Sequence, residues 1–396
     1  MTSGHSLHSD ADTSKQSLDK PPQDNSSERP KKIARVELED PIEEDDEDEE
    51  EQNQQKESVF SEMKMNTNPR IQRYLIAIEY IGTRFSGAQQ QSNARTVVGV
   101  LQDAFHKFIG QPVSIFCSSR TDAGVHALSN VCHVDVERIS KRKPGELLPP
   151  HEPAVVKRAV NHFLQKNEGD IMVIDVRCVP SDFHSRYKAR ERTYFYRLLS
   201  GPEPLSTFDK DRAWHVSEEL DLLAMQKACK VLVGRHDFSS FRAAACQAKS
   251  PIRTLDELNV TEVVSSLYFP SVVERERSNF VAECSSLGVV NSETKLSHVS
   301  AIADQVNDKD SWGEPSPVFG MRKQHRCFVV TARARSFLYH QVRLLVGVLK
   351  SVGTGELKVP DVEGILKAKT VSAASPMAPA CGLYLGHVKY DLPSKT

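Results

Sequence analysis

No two cysteines in this chain stand at Cys-x-x-Cys spacing; the eight, Cys117, Cys132, Cys178, Cys229, Cys246, Cys284, Cys327 and Cys381, are scattered. That spacing offers no zinc framework and reads as the reduced thiols of an intracellular protein. No apolar run approaches the roughly 18 residues of a membrane span, and there is no secretory core segment, so no membrane partner is expected. The acidic N-terminus departs from an Arg-rich mitochondrial presequence. A Walker phosphate loop and a GxGxxG fingerprint are both missing, which argues against nucleotide hydrolysis and dinucleotide chemistry. A second carboxylate motif to serve as acid/base partner is missing too, which counts against a glycosidase.

What charge there is lies unevenly. The chain of 396 residues has a formal net charge of -2, yet residues 1–70 carry 9 Lys+Arg against 19 Asp+Glu, a net of -10. The remaining 326 residues carry 42 against 34, a net of +8, with 12 of the 14 His. An acidic appendage on a basic body is the pattern of a nucleic-acid binder. Between Glu37 and Glu51, twelve of fifteen residues are acidic. With no hydrophobic period to build a core, residues 1–70 are expected to be a disordered tail. Lys31-Lys32-Ile33-Ala34-Arg35 is a basic cluster of the nuclear-import kind, which points to nucleus or cytoplasm.

The body is expected to begin near Gln72. Residues 74–81 read as a strand, and 96–108 as a helix with Val97, Val100, Leu101, Ala104 and Phe108 on one face. Strands follow at 113–117 and 130–136, then a helix near 154–164 and a strand at 171–178. The theme returns with strands at 192–199, 253–263, 326–332 and 382–390. It also brings a helix at 218–233 ending on Gly234, and one at 337–352 ending at Gly353. Leu338, Val342, Leu345, Val346 and Leu349 form the apolar stripe of that last helix. Two βα layers in tandem predict an α+β body with halves at 71–180 and 181–396 and a cleft between them. Residues 265–323 show little period and read as a disordered insertion in the second half in preference to a functional flap.

The segment from Ser118 to Leu128 lies between two strands yet carries Arg, Thr, Asp and His around one Gly. On its own it is a polar turn, with Asp122 capping its own backbone and Gly124 supplying a positive φ. Taken whole, Arg120 to Ala127 (Arg-Thr-Asp-Ala-Gly-Val-His-Ala) resembles the catalytic signature of the TruA family of tRNA pseudouridine synthases. Its flanks, Ser-Ser before and Leu-Ser-Asn after, are most similar to the branch called tRNA pseudouridine synthase-like 1. The resemblance runs from about Tyr74 to Leu385, through Asp182-Phe183-His184-Ser185-Arg186, Ala189 to Tyr196, Phe337 to Arg343 and Gly382-Leu383-Tyr384-Leu385.

That resemblance implies two ferredoxin-like halves in one continuous, mostly antiparallel sheet with helices on one side, a homodimer, and tRNA or another structured RNA as substrate. Mitochondrial members of the branch add the mitochondrion as a compartment. The implied reaction breaks the bond from ribose C1′ to N1 of uracil, turns the base and rejoins it through C5. No electrons leave, so neither metal nor cofactor is called for. Asp122 is the implied nucleophile, acting at C1′ or at C6 of the base, and Arg343 its ion-pair partner. Tyr194 would stack on the base and serve the proton step. Arg120 would fill the place the base vacates; His184 and Arg186 are offered for phosphates or internal hydrogen bonds, and Leu383 for packing on the uracil. Arg84, Lys188, Arg190, Arg192, Arg242, Lys249 and Arg253 are candidates for RNA backbone contact. The chain departs from the family pattern at Ala88, where a Trp is common, and at Ser119, where Gly is. The alternative is an RNA-binding module or RNA chaperone of the same fold without catalysis; the presence of Asp122, Tyr194 and Arg343 argues against it.

Overall fold

The computed structural model describes residues 71–143, 145–263, 325–374 and 376–392. The expected tail at 1–70 and insertion at 265–323 lie outside the described residues. The first half runs β1 (Ile71–Tyr80), α1 (Val97–Ile109), β2 (Ile115–Cys117), β3 (His126–Glu137), α2 (Pro153–Asn167) and β4 (Ile171–Val179). Its strands lie in the order β4-β1-β3-β2. The second half is built of β5 (Glu191–Ser200), β6 (Trp214–Val216), α3 (Leu222–Leu232), β7 (Gly234–Asp237), β8 (Ile252–Val263), β9 (Arg326–Ala334), α4 (Gln341–Gly353), α5 (Val359–Ala368) and β10 (Leu383–Lys389). Its principal strands lie in the order β10-β5-β9-β8, so the same 4-1-3-2 arrangement occurs twice. All ten strands form one sheet, antiparallel except where β10 meets β3 and β6 meets β5. This is the α+β fold of two ferredoxin-like halves expected above.

The elements form where local chemistry favours them. Thr96 caps α1 by accepting the Gly99 N–H, and Gly110 closes it in the left-handed region. Val97, Val98, Leu101, Ala104 and Phe105 are its buried residues, whereas Val100 and Phe108 are only partly buried. They join Tyr74, Ile76, Ile78, Cys132 and Val134 of the sheet and Val160 and Leu164 of α2 in a single core. Tyr74, Ile76 and Ile78 alternate along β1 toward that core, and burial runs unbroken from Arg73 to Ile76 and from Asn130 to Val134, so both faces are covered there. Asp221 caps α3, four residues later than the periodicity predicted, and Gly234 opens β7 instead of capping the helix.

The helix expected from residue 337 begins at Gln341. His340 has a φ of 64°, which a right-handed helix cannot accommodate, so Phe337 to His340 form a turn. Leu338 is buried from that turn, where its N–H donates to Gln341 Oε1. Sequence reading also passed over the short strands β6 and β7 and the helix α5.

The seam between the halves positions the loop singled out in the sequence. β1 lines one edge of β3 along its length. The other edge is shared, with β2 paired at Val134 to Cys132 and β10 at His126 and Ala127. Residues 118–125 emerge where β3 changes partner, at the joint of the two halves.

Candidate active site at the seam

The loop is pinned on both sides before its carboxylate is placed. Ser118 Oγ donates to Asn130 Oδ1 (3.0 Å), and Asn130 Nδ2 donates to the Ser119 carbonyl (3.3 Å) and to Tyr80 Oη (3.2 Å). The Tyr80 hydroxyl shares a 2.7 Å hydrogen bond with Thr121 Oγ1. Gly124 takes a φ of 80°, as a turn here requires. Gly82 lies so close that a Cβ on it would meet the Val125 carbonyl oxygen at 1.9 Å. From the second half, Arg192 reaches back: its Nε donates to Ser119 Oγ (3.1 Å), its Nη2 to the Ser118 and Arg186 carbonyls, and its Nη1 to the Arg335 carbonyl.

On this platform Asp122 accepts the Val125 N–H with its backbone, which is the turn, but its side chain points across the seam. Arg343 Nη1 lies 3.3 Å from Asp122 Oδ2, and His340 Nε2 lies 3.1 Å from the same oxygen. The Asp122 side chain is 25% exposed and that of Arg343 11%. Arg343 is itself tied down, with Nε donating to the Ala378 carbonyl at 2.8 Å. A half-buried carboxylate with a guanidinium beside it is held in place and still within reach of a substrate.

Tyr194 stands on β5 opposite Leu385 of β10 and Ala332 of β9. It is buried, with Phe337 edge-on at 5.1 Å. Burial pushes its phenol upward and the charge of Asp122 adds to this, while Arg192 and the Ser119 hydroxyl pull it back. Leu383 is buried opposite Tyr196, on the same sheet face as Tyr194.

The remaining candidates are placed less directly. Arg120 is exposed on the loop. The Nδ1 atom of His184 accepts the Arg186 N–H (3.1 Å), and its ring packs against His133 and Tyr187 at 4.7 and 4.3 Å. His184 is thus engaged within the protein. His133 in that cluster is pushed down to about 3 by burial, then by His184 and Arg73. Arg192, one of the cations considered for RNA, spends its guanidinium on backbone carbonyls and on Ser119, so it organises the loop. Arg84 and Arg190 likewise pair with Asp170 and Asp391, at 2.8 and 2.9 Å.

Sequence reasoning missed Tyr80, Asn130, His126 and His340. The imidazole of His126, inside the signature itself, accepts the Gly82 N–H at Nδ1 (3.0 Å). That leaves the proton on Nε2, facing the carbonyls of Asp211 (3.1 Å) and Cys381 (3.2 Å) across the seam. Burial lowers its proton affinity and keeps it neutral. His340 had a readable signal, three positions before Arg343. A recess of about 480 Å³ around Phe108 and Phe163, between α1 and α2, is lined by none of these residues.

A family model described as tRNA pseudouridine synthase matches residues 76–188 and 228–391. Asp122, His340 and Arg343 fall inside those segments, and Tyr194 and Arg192 between them. Among curated proteins, tRNA pseudouridine synthase A of Rhodospirillum centenum is 35% identical over 320 residues, 81% of this chain and 100% of that protein. The proteins of the same name from Parvibaculum lavamentivorans and Xanthobacter autotrophicus are each 35% identical, over 319 and 318 residues; each match covers 99% of the relative and 81% and 80% of this chain.

Proposed function

This chain belongs to the tRNA pseudouridine synthase family, and from that premise we propose that it isomerises specific uridines of tRNA to pseudouridine, with Asp122 acting on the substrate. The observation that carries the reading is the placement of Asp122: fixed on a pinned loop, turned to Arg343, and partly open. The net reaction moves C1′ from N1 to C5 and a hydrogen from C5 to N1, so the protein must supply a group that breaks the glycosidic bond, a surface for the turning base and a route for one proton. Asp122 is the first of these, and the ring of Tyr194 beside Leu383 the second. Arg120, exposed on the same loop, is the residue to fill the RNA stack once the uridine is out.

Mapping pseudouridine by carbodiimide-dependent reverse-transcription stops, in tRNA from cells with and without the protein, tests the reading. Loss of one or more stops supports it; an unchanged tRNA map, with RNA binding retained, would leave the non-catalytic RNA-binding module as the better account. The RNA-bound chain is proposed to be intracellular, in nucleus or cytoplasm by its basic cluster at Lys31 to Arg35. Among the described residues no helix is long and apolar enough to cross a membrane. A homodimer is proposed from the family resemblance, and sedimentation at the mass of one chain would refuse it.

The direction of the Tyr194 shift sharpens its role. A phenol raised above its usual 10.0 stays protonated throughout the neutral range, so its ring matters more than a phenolate would. Tyr194→Phe is therefore expected to keep turnover within about 3-fold, and Tyr194→Leu to lose about 10- to 100-fold, in line with ~1–3 kcal/mol for base stacking. A step in the pH–rate profile below pH 10 that vanishes in Tyr194→Phe would contradict this.

A further inference from the structure

The carboxylate of Asp122 is held unsymmetrically. Arg343 Nη1 and His340 Nε2 converge on Oδ2, at 3.3 and 3.1 Å, while Oδ1 takes no hydrogen bond from any described residue. We propose that His340 is a positioning residue for Asp122, tying down Oδ2 together with Arg343 so that Oδ1 is the oxygen presented to the uridine. The proposal rests on the function put forward above.

Several features of His340 separate it from an ordinary helix-terminal residue. It is the N-cap of α4, yet its side chain makes no capping hydrogen bond. Its φ of 64° is left-handed, a conformation that costs an L-residue roughly 1–2 kcal/mol and that glycine would take freely. Strain of this kind is retained where the side chain has a task. The conformation keeps His340 out of the helix and lets its imidazole cross the seam. Tyr339 stacks on that ring, centroids 3.7 Å apart and planes 29° from parallel, which fixes the direction of Nε2. Arg343 follows three residues later, so both donors leave the first turn of α4 on one side.

The chemical consequence is a division of labour within one carboxylate. Attack by Oδ1 at C1′ forms the O–C1′ bond as N1 departs with the electron pair of the glycosidic bond, and Oδ2 becomes the ester carbonyl oxygen. When C5 bonds to C1′, the carboxylate leaves with the electrons of the O–C1′ bond, the C5 proton is lost and N1 takes one up. Two donors on Oδ2 stabilise the departing anion. Addition at C6 would use the same open oxygen.

The test is single-turnover pseudouridine formation on tRNA by the full chain. His340→Leu is expected to slow the reaction about 10- to 100-fold with tRNA affinity within about 3-fold. His340→Gln, whose amide can donate from near the Nε2 position, is expected to recover to within about 5-fold of the parent. Equal losses in both variants, or losses that follow tRNA affinity, would mean a merely structural role and overturn the proposal, as would undiminished turnover in His340→Leu. A second readout needs no activity. In protein labelled with ¹⁵N-histidine, an exchange-protected Nε2–H resonance absent from His340→Gln should also vanish in Asp122→Ala; its persistence there overturns the contact. Should the parent chain leave tRNA unmodified, the proposed function fails while this resonance still decides the geometry.

Discussion

Asp122→Asn is expected to lower single-turnover pseudouridine formation by about 10⁴-fold or more, with tRNA affinity within about 3-fold of the parent. The reason lies in what surrounds the group. Arg343 has only donors to offer, and its Nη1 and the His340 Nε2 lie 3.3 and 3.1 Å from one oxygen. An amide in place of the carboxylate would turn its single oxygen to them and leave its NH₂ where Oδ1 stood. That nitrogen has no lone pair available for attack, so the nucleophile is lost while the fold, the loop pins and the exposed RNA-facing surface are kept. Binding should survive because Asp122 is an anion facing a polyanion, and neutralising it removes repulsion, if anything. The measurement pairs rate with affinity, and mass spectrometry of the peptide containing residue 122 excludes deamidation back to aspartate. Parental turnover in a verified variant would end the assignment of Asp122.

The parts of this fold that were legible are those whose signal is local. Thr96, the apolar period after it and Gly110 bracket α1 within a residue or two, because caps and amphipathic spacing act over one or two turns. The start of α4 was misplaced by four residues for a converse reason. Phe337 and Leu338 continue the apolar pattern straight through His340, and a left-handed φ leaves no trace in hydrophobicity. The seam was illegible altogether: two residues of β3 paired in parallel with two of β10 are joined by tertiary packing of distant segments, not by neighbours in the chain. Arg192 shows how little charge alone says of what a guanidinium meets. It was grouped with RNA-contacting cations, although it shares strand parity with Tyr194 and Tyr196, both buried on the same face. At Asp122 the residues alone favoured a self-capped turn. What the turn could not tell, and the resemblance of the whole signature suggested, was that the side chain has partners more than 200 residues away in sequence, at 3.1 and 3.3 Å.

Those partners make Arg343 the second position where a single change should matter most. Arg343→Met keeps the volume and removes both the charge and the fork. Two groups then lose a donor. The Ala378 carbonyl, in a segment where Ala378 is fully buried, loses the Nε–H at 2.8 Å, at a cost of about 1–3 kcal/mol. Asp122 loses its guanidinium; breaking a fully buried pair costs about 3–5 kcal/mol, but here His340 remains and the carboxylate is 25% open to water, so the share is smaller. A total near 3 kcal/mol predicts a fall in melting temperature of roughly 5–10 °C. The rate should fall further than stability alone explains, by about 10²- to 10³-fold, because one of two donors on the departing carboxylate is gone. Arg343→Lys separates the contributions: an ammonium can approach Oδ2 or the Ala378 carbonyl but not both, so its rate should lie between parent and Met variant with much of the destabilisation retained. Thermal unfolding of the double variant with Asp122→Asn closes the cycle. If the 3.3 Å contact carries energy, Arg343→Met will cost about 1–2 kcal/mol less once the carboxylate is gone. Strict additivity would show that Arg343 serves only the Ala378 carbonyl and that the ion pair across the seam contributes nothing.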